Sequence, residues 1–287
     1  MTFRNHVITG APILFAPDRA TRPGAFLGDA PARQRCPFCP GHEADTPPPL
    51  MTIGDPWRVR AIPNKYPPIE GAEVIIESPR HEASFDELEN ADEVVAVYVD
   101  RYRAHRAAAH TSIFRNHGPA GGASIPHLHS QLVPLPFVPP RISLETEAFG
   151  RSLQCPLCIA IDGHRGEGLL IRESPSFAWL TPSASSMPWQ QWIVPKAHAA
   201  EFTSLDEVAI SELALLLRES TRGTMTIADS FNWSILNFPR DSAGHWYVEI
   251  FPRITTIAGL ELSTGTFVEV MDPAEAARTL RERLERR

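Results

Sequence analysis

Two cysteine pairs and four histidines recur at matched spacings in this chain of 287 residues. Cys36 and Cys39 stand in CPFC, and Cys155 and Cys158 stand in CPLC. His81 follows Cys39 by 42 residues and His127 follows His81 by 46, while His198 follows Cys158 by 40 and His245 follows His198 by 47. Two thiolates with two imidazoles form the donor set that tetrahedral zinc prefers, and four protein ligands leave no position open for water. The spacing predicts two structural zinc sites: Cys36, Cys39, His81 and His127 in one, Cys155, Cys158, His198 and His245 in the other. His164, six residues after Cys158, competes with His198 or His245 as a ligand, and His42 is a weaker competitor in the first set. Outside that role both read as solvated loop residues. A C-x-x-C pair also serves redox chemistry, but neither copy sits in a βαβ pattern.

A second group of residues does not repeat. In GPAGGASIPHLHSQ (118–131), His127, His129 and Gln131 alternate. On a strand they share one face, with neighbours ~6–7 Å apart. A shift of 118 residues carries His127 onto His245, but it carries His129 onto Tyr247 and Gln131 onto Glu249. The metal ligand is kept and the second histidine is not. His129 is therefore the candidate for chemistry, and the first half is the active half. An imidazole with a pKa near ~6.5 is largely unprotonated at neutral pH and attacks an electrophile without a separate base. The preceding loop, NHGPAGGAS, brings backbone N–H groups and the Ser124 hydroxyl close, and its glycines permit the approach that a phosphate needs.

The elements that must position these residues also occur twice. VIIESPRH (74–81) parallels QWIVPKAH (191–198): an apolar strand, then proline and a basic residue, then histidine. Each is followed by a helix that a capping box predicts, Ser84-x-x-Glu87 and Ser204-x-x-Glu207. Leu88, Val94, Val95, Tyr98 and Tyr102 recur at roughly helical spacing in the first. After each helix a strand is expected, TSIFRN (111–116) or NWSILN (232–237), then a glycine-containing turn and the strand bearing the last histidine. A near-constant shift over these landmarks points to internal duplication. The expected fold is α+β: two tandem half-domains, residues 1–145 and 146–287, each an antiparallel sheet with one long helix. The two sheets are expected to continue into one another.

Composition sets the outer bounds. Hydrophobic residues make up 43% and charged residues 21%, and the net charge is −7. An acidic chain lacks the basic surface of a general nucleic-acid binder. No apolar run approaches the ~18 residues of a membrane span. The start, MTFRNHVITG, has no signal-peptide stretch. Neither a nucleic-acid nor a membrane partner is expected, and the compartment expected is the cytoplasm. Trp179, Trp189 and Trp192 read as core rather than as base-stacking platforms.

The pattern N-x-G-x-x-x-G-x-S-x-x-H-x-H-x-Q, formed by Asn116, Gly118, Gly122, Ser124, His127, His129 and Gln131, resembles the active-site signature of the galactose-1-phosphate uridylyltransferases, a branch of the histidine-triad superfamily. The resemblance runs over nearly the whole chain. FAPDRATRP (15–23) resembles a segment in which two arginines, here Arg19 and Arg22, approach the nucleotide and its phosphates. IPNKYP (62–67) nominates Asn64 as a nucleoside contact. AGLELSTG (258–265) resembles the segment that meets the sugar phosphate and nominates Glu261. Asn116 and Gly122 join these as substrate-binding residues, with His129, Gln131 and Ser124 as the catalytic set.

The resemblance implies a ping-pong transfer. His129 takes a nucleoside monophosphate from a nucleotide sugar, and a sugar 1-phosphate then accepts it, as in UDP-glucose:hexose-1-phosphate uridylyltransferases of galactose metabolism. A homodimer is implied by family analogy alone. The hydrolase branches of the superfamily carry a third histidine at the position of Gln131. An amide has no useful pKa, which favours transfer over hydrolysis. Two departures matter. Leu128 replaces the proline between the paired histidines, and RITTIAGLE has no lysine ahead of Glu261, which weakens the case for galactose 1-phosphate. The CPLC, PKAH and GHW landmarks resemble the ADP-glucose phosphorylase-like relatives, in which inorganic phosphate is the acceptor and adenylyl the group moved. The H-x-H strand would also suit a dinucleoside polyphosphate phosphorylase or hydrolase, and the paired metal sets would suit a non-catalytic double-zinc scaffold. The His129/Tyr247 asymmetry argues against the scaffold.

Overall fold

The computed structural model describes residues 2–5, 7–15, 35–81 and 83–285. A short hairpin, β1 (Thr2–Asn5) and β2 (Pro12–Phe15), comes first. Five strands follow: β3 (Met51–Ile53), β4 (Val59–Pro63), β5 (Glu73–Ile76), β6 (His110–His117) and β7 (His129–Leu135), with helix α1 (Ala91–Ala104) between β5 and β6. Helices α2 (Pro140–Arg151) and α3 (Pro156–Glu167) lead into β8 (Leu170–Glu173), β9 (Phe177–Leu180) and β10 (Gln191–Pro195). Helix α4 (Glu207–Met225), β11 (Phe231–Leu236), β12 (Tyr247–Pro252), α5 (Gly259–Thr264) and α6 (Pro273–Glu285) complete the described chain.

Ten of these strands form one antiparallel sheet in the order β3-β4-β5-β7-β6-β11-β12-β10-β9-β8. The order of the first five is repeated by the second five, and the two sheets join through β6 and β11. Arg115 pairs with Trp233 across this junction. Those two residues are also related by the shift that superposes the repeats, so a local two-fold axis passes through the pair.

Strand parity then sorts the side chains. One face of the sheet, with Ile75, Ile113, Leu128, Leu132, Ile193, Trp233, Val248 and Ile250, packs on α1 and α4. Val94, Val95, Tyr98 and Tyr102 line the buried stripe of α1, as their spacing predicts. Asp92 and Glu93 in its first turn and Arg101 and Arg103 in its last complement the helix dipole. On the opposite face the halves differ. In the second half, Ile142 and Phe149 of α2 and Leu157 and Ile161 of α3 pack on Ala178, Leu180, Val194, Leu236 and Tyr247. In the first half, Phe38 of the Cys-pair loop packs on Ile62, Val74 and Ile76.

Both capping boxes are corrected. Ser84 and Glu87 frame a 3-10 turn, Phe85–Glu87, and Ser84 makes no side-chain cap. The helix starts only at Ala91. Ser204 likewise closes the 3-10 turn Phe202–Ser204, and α4 is capped by Asp206, whose side chain accepts the Ala209 N–H. A Ser-x-x-Glu pattern is satisfied by a single 3-10 turn as readily as by a helix start. Phe85 and Phe202, both fully buried, fix these turns in the core. One further difference concerns His164, which is a buried residue of α3 rather than a solvated loop residue.

Candidate active site and metal clusters

Chain topology brings each predicted ligand set together. The ligand atoms of Cys36, Cys39, His81 and His127 lie within 4.8 Å of one another, as do those of Cys155, Cys158, His198 and His245. His127 Nδ1 stands 3.7 Å from Cys36 Sγ and 3.6 Å from Cys39 Sγ, and His81 Nδ1 stands 3.3 Å from Cys39 Sγ. In the second set His245 Nδ1 is 3.3 Å from Cys155 Sγ and 3.6 Å from Cys158 Sγ, and His198 Nδ1 is 3.8 Å from Cys158 Sγ. A tetrahedral zinc with Zn–S ~2.3 Å and Zn–N ~2.0 Å sets S and N ligands roughly 3.5 Å apart, so the residues present fit that ion. The outer ring nitrogens fit as well. His127 Nε2–H donates to the Ser78 carbonyl at 2.7 Å, and His245 Nε2–H donates to the Pro195 carbonyl at 2.9 Å. Such bonds fix the tautomer that turns Nδ1 toward a metal.

Burial pushes the Cys36 and Cys158 thiols up to about 11 and the His245 imidazole down to about 4. The imidazole is thus neutral, as a ligand must be, and a cation would draw the protons off the thiols. The rival ligands fall away. His42 Nδ1 donates to the Cys36 carbonyl at 2.6 Å, and among the described residues neither His42 nor His164 belongs to a ligand cluster.

His129 begins β7, two residues beyond the ligand His127. Its Nδ1 lies 2.8 Å from the His127 carbonyl oxygen. A carbonyl only accepts, so Nδ1 carries the proton and Nε2 carries the lone pair. The ring meets Phe38 edge-on at 5.3 Å between centroids. Between the two histidines, Leu128 is buried against the helix side, which enforces the alternation. Gln131 lies one same-face step farther along, between Val74 and Phe114.

The glycine loop is folded on itself. Gly122 N–H donates to the Pro119 carbonyl at 3.0 Å, and Ala123 N–H donates to the Gly118 carbonyl at 3.2 Å. Ala120 N–H donates to Ser230 Oγ at 3.3 Å. Those three amides are already engaged, so they are not the phosphate cradle that glycine content suggests. Gly118 has φ +70°, and a Cβ there would lie 2.6 Å from the Asp229 carbonyl. Ser124 and the exposed Gly122 lie on the stretch between this turn and His127. Asn116 ends the same face of β6, two residues beyond Phe114. Asn64 follows β4, and its Oδ1 accepts the Tyr66 N–H at 2.9 Å. Glu261 lies on α5, where its carboxylate accepts the Ala258 N–H at 3.0 Å. Arg19 and Arg22 lie outside the described residues.

The chain is similar to known proteins in sequence and in fold. Residues 65–139 match the family model "Galactose-1-phosphate uridyl transferase, N-terminal domain". The ADP-glucose phosphorylase of Arabidopsis thaliana is 28% identical over 97% of this chain and 92% of its own length. The galactose-1-phosphate uridylyltransferase of Thermotoga maritima is 26% identical over 88% of this chain and 90% of its own. The chain is a homologue of both kinds of enzyme. A crystal structure of an ADP-glucose phosphorylase from Arabidopsis thaliana with bound ADP-glucose superposes with a TM-score of 0.79, covering 98% of each chain at 26% identity. These relatives are enzymes, an ADP-glucose phosphorylase and a galactose-1-phosphate uridylyltransferase, and this chain resembles both over most of its length. Among the described residues no helix is long and apolar enough to cross a membrane.

In this homologue the second half has lost its open face. Glu249, where Gln131 stands in the first half, accepts from Gln190 Nε2 at 2.7 Å and from Trp192 Nε1 at 3.2 Å. It also pairs with Arg141 of α2 at 2.7 Å. Tyr247, where His129 stands, donates to Glu145 of α2 at 2.9 Å and accepts from Arg141 at 3.2 Å. Burial opposes the Arg141 charge, but the hydrogen bond and charge of Glu249 outweigh it and hold the guanidinium above its ordinary value. Trp179 is fully buried, as expected of a core residue, and Trp192 packs on Tyr247.

Sequence reasoning missed the groups behind the nucleophile. Glu77, the residue after β5, accepts from Arg115, Tyr98 and Ser130, all four fully buried. The Arg115 guanidinium also lies 4.4 Å from the Phe85 ring centroid. Ser130 directly follows His129, so this network fastens β5, β6 and β7 from the helix side. The repeat offered the signal: the shift of 118 takes Arg115 to Trp233 and Ser130 to Val248, replacing polar groups by apolar ones.

Proposed function

We propose that the chain moves a nucleoside monophosphate from a nucleotide sugar to a phosphate acceptor through a covalent nucleotidyl-His129. The observation that carries this is the bond from His129 Nδ1–H to the His127 carbonyl. It leaves the lone pair on Nε2, held by a residue that a metal would hold in turn. Nε2 attacks the α-phosphorus. The bond from that phosphorus to the bridging oxygen breaks, and sugar 1-phosphate departs with the electron pair. As the ring gains positive charge, its Nδ1–H···O=C bond becomes charge-assisted, roughly doubling in strength. An acceptor phosphate oxygen then attacks the same phosphorus, and the electron pair returns to Nε2.

Neither leaving group needs a proton, so Gln131 serves as a hydrogen-bonding amide without acid–base capacity. Ser124, Gln131 and Asn116, with Arg19 and Arg22, stabilise charge on the transferred group. Removing one such donor costs about 3–4 kcal/mol of transition-state stabilisation. Asn64 and Gly122 contact the nucleotide, and Glu261 contacts the sugar. Residues 1–145 form the catalytic half, and residues 146–287 form a half without a nucleophile. Zinc held by each Cys2His2 set would have no open coordination position and would act by fixing structure. The set with His127 would fix the nucleophile strand, and the set with His245 would fix the second half.

ADP-glucose with inorganic phosphate is the substrate pair favoured. Its support is the near full-length similarity to an ADP-glucose phosphorylase and the absence of a lysine ahead of Glu261. The uridylyltransferase pair, UDP-glucose with galactose 1-phosphate, is the second reading, supported by the residue 65–139 match. Turnover of ADP-glucose and UDP-glucose, each with phosphate, with galactose 1-phosphate and with neither, tests the choice. Phosphate-dependent release of ADP from ADP-glucose is expected. Turnover of UDP-glucose dependent on galactose 1-phosphate would select the second reading, and equal turnover in water alone would contradict both.

A further inference from the structure

We infer that Asn232, from the half that lacks the nucleophile, is a positioning residue of the transfer site, acting through Asn116. The inference rests on the reading of His129 as the nucleophile. Register across the β6–β11 junction places Asn232 directly opposite Asn116. One Asn232 Nδ2–H donates to Asn116 Oδ1 at 2.8 Å, and the other donates to the Gly121 carbonyl at 2.8 Å. Two residues earlier, Ser230 Oγ accepts the Ala120 N–H. The loop lies against β11 so closely that a Cβ on Gly121 would stand 2.7 Å from the Phe231 carbonyl. The second half therefore supplies the floor on which the first half's loop is folded.

The consequence is chemical. An amide whose oxygen is consumed presents its NH2 group elsewhere. Asn232 spends the oxygen of Asn116, which makes Asn116 a hydrogen-bond donor on the face that carries His129 and Gln131. Donors are what developing negative charge on phosphoryl oxygens requires.

The duplication contains its own control. Two-fold symmetry relates the Asn116–Asn232 pair to the Ser234–Phe114 pair, which is also directly opposed. Both positions had the same opportunity. The amide pair occurs only at the one beside the loop, just as the second histidine occurs only at 129.

Asn232→Asp keeps the shape and removes both donors, and Asn232→Ala removes the side chain. Both are compared with Asn116→Ala, Asn116→Ala/Asn232→Ala and His129→Ala, with melting temperature and metal content recorded. Rapid-quench intact-mass measurement of nucleotidyl-enzyme formation from ADP-glucose, and from UDP-glucose, gives the rate and the half-saturating concentration. Each Asn232 variant should lower the maximal rate about tenfold or more while shifting half-saturation much less. Adding Asn232→Ala to Asn116→Ala should cost less than about threefold. Native rates in folded Asn232 variants, with His129→Ala unlabelled, would overturn this inference alone, as would a full additional loss in the Asn116→Ala background. Labelling of His129→Ala would overturn the underlying reading.

Discussion

The main-chain carbonyl of His127 accepts the Nδ1–H of His129 at 2.8 Å, while the His127 ring turns its own Nδ1 toward Cys36 and Cys39. One residue therefore belongs to the metal cluster by its side chain and to the nucleophile by its backbone. Cys36→Ser is expected to lose one of about two bound zinc ions per chain and to abolish nucleotidyl-enzyme formation. Cys155→Ser should lose the other ion with a smaller effect on the rate, because α3 and His245 lie in the other half. Elemental analysis with a labelling assay checks both. Native labelling by Cys36→Ser would break the link between metal and nucleophile.

The Glu77 network predicts a large stability effect. Burial pushes the Arg115 guanidinium down to about 9, still charged at neutral pH, and Glu77 is its carboxylate partner. Glu77→Gln leaves that charge uncompensated, which costs about 3–5 kcal/mol. Glu77→Gln/Arg115→Met should recover part of the loss, since removing both charges removes the imbalance. Urea unfolding measures this. A single variant within about 1 kcal/mol of the native protein would contradict it.

The sequence disclosed the duplication, both metal sets and the odd histidine because each depends on residue identity at fixed spacing. It could not disclose where α1 begins. Ser84-x-x-Glu87 is compatible with a 3-10 turn, and burial of Phe85 in the core decided between them. It could not disclose α2 as cover for the second half, because that role depends on where Arg141 reaches, not on its neighbours in sequence. Asn232 opens an expected strand, but its role follows from the register of β11 against β6, which no local pattern contains.

The covered second face should resist conversion. Tyr247→His in a His129→Ala background restores the missing imidazole by name only, because Glu145 and Arg141 of α2 still pack on that position. No nucleotidyl label is expected. A label on the Tyr247→His/His129→Ala protein would show that the face is open.

Replacing Gln131 by histidine should change the fate of the intermediate rather than its formation. An imidazole can relay a proton from water, which the amide cannot. The expected result is release of free nucleoside monophosphate without an acceptor, at least about tenfold faster than from the native protein. Unchanged release would mean that water is excluded by shape alone.

The most direct test is intact-protein mass spectrometry after mixing with ADP-glucose and, separately, UDP-glucose, without acceptor. The native chain should gain the mass of one nucleoside monophosphate, lose it on addition of phosphate or sugar phosphate, and show no gain as His129→Ala. A native chain that turns over its nucleotide sugar without ever gaining that mass, or an alanine variant that gains it, would contradict the account.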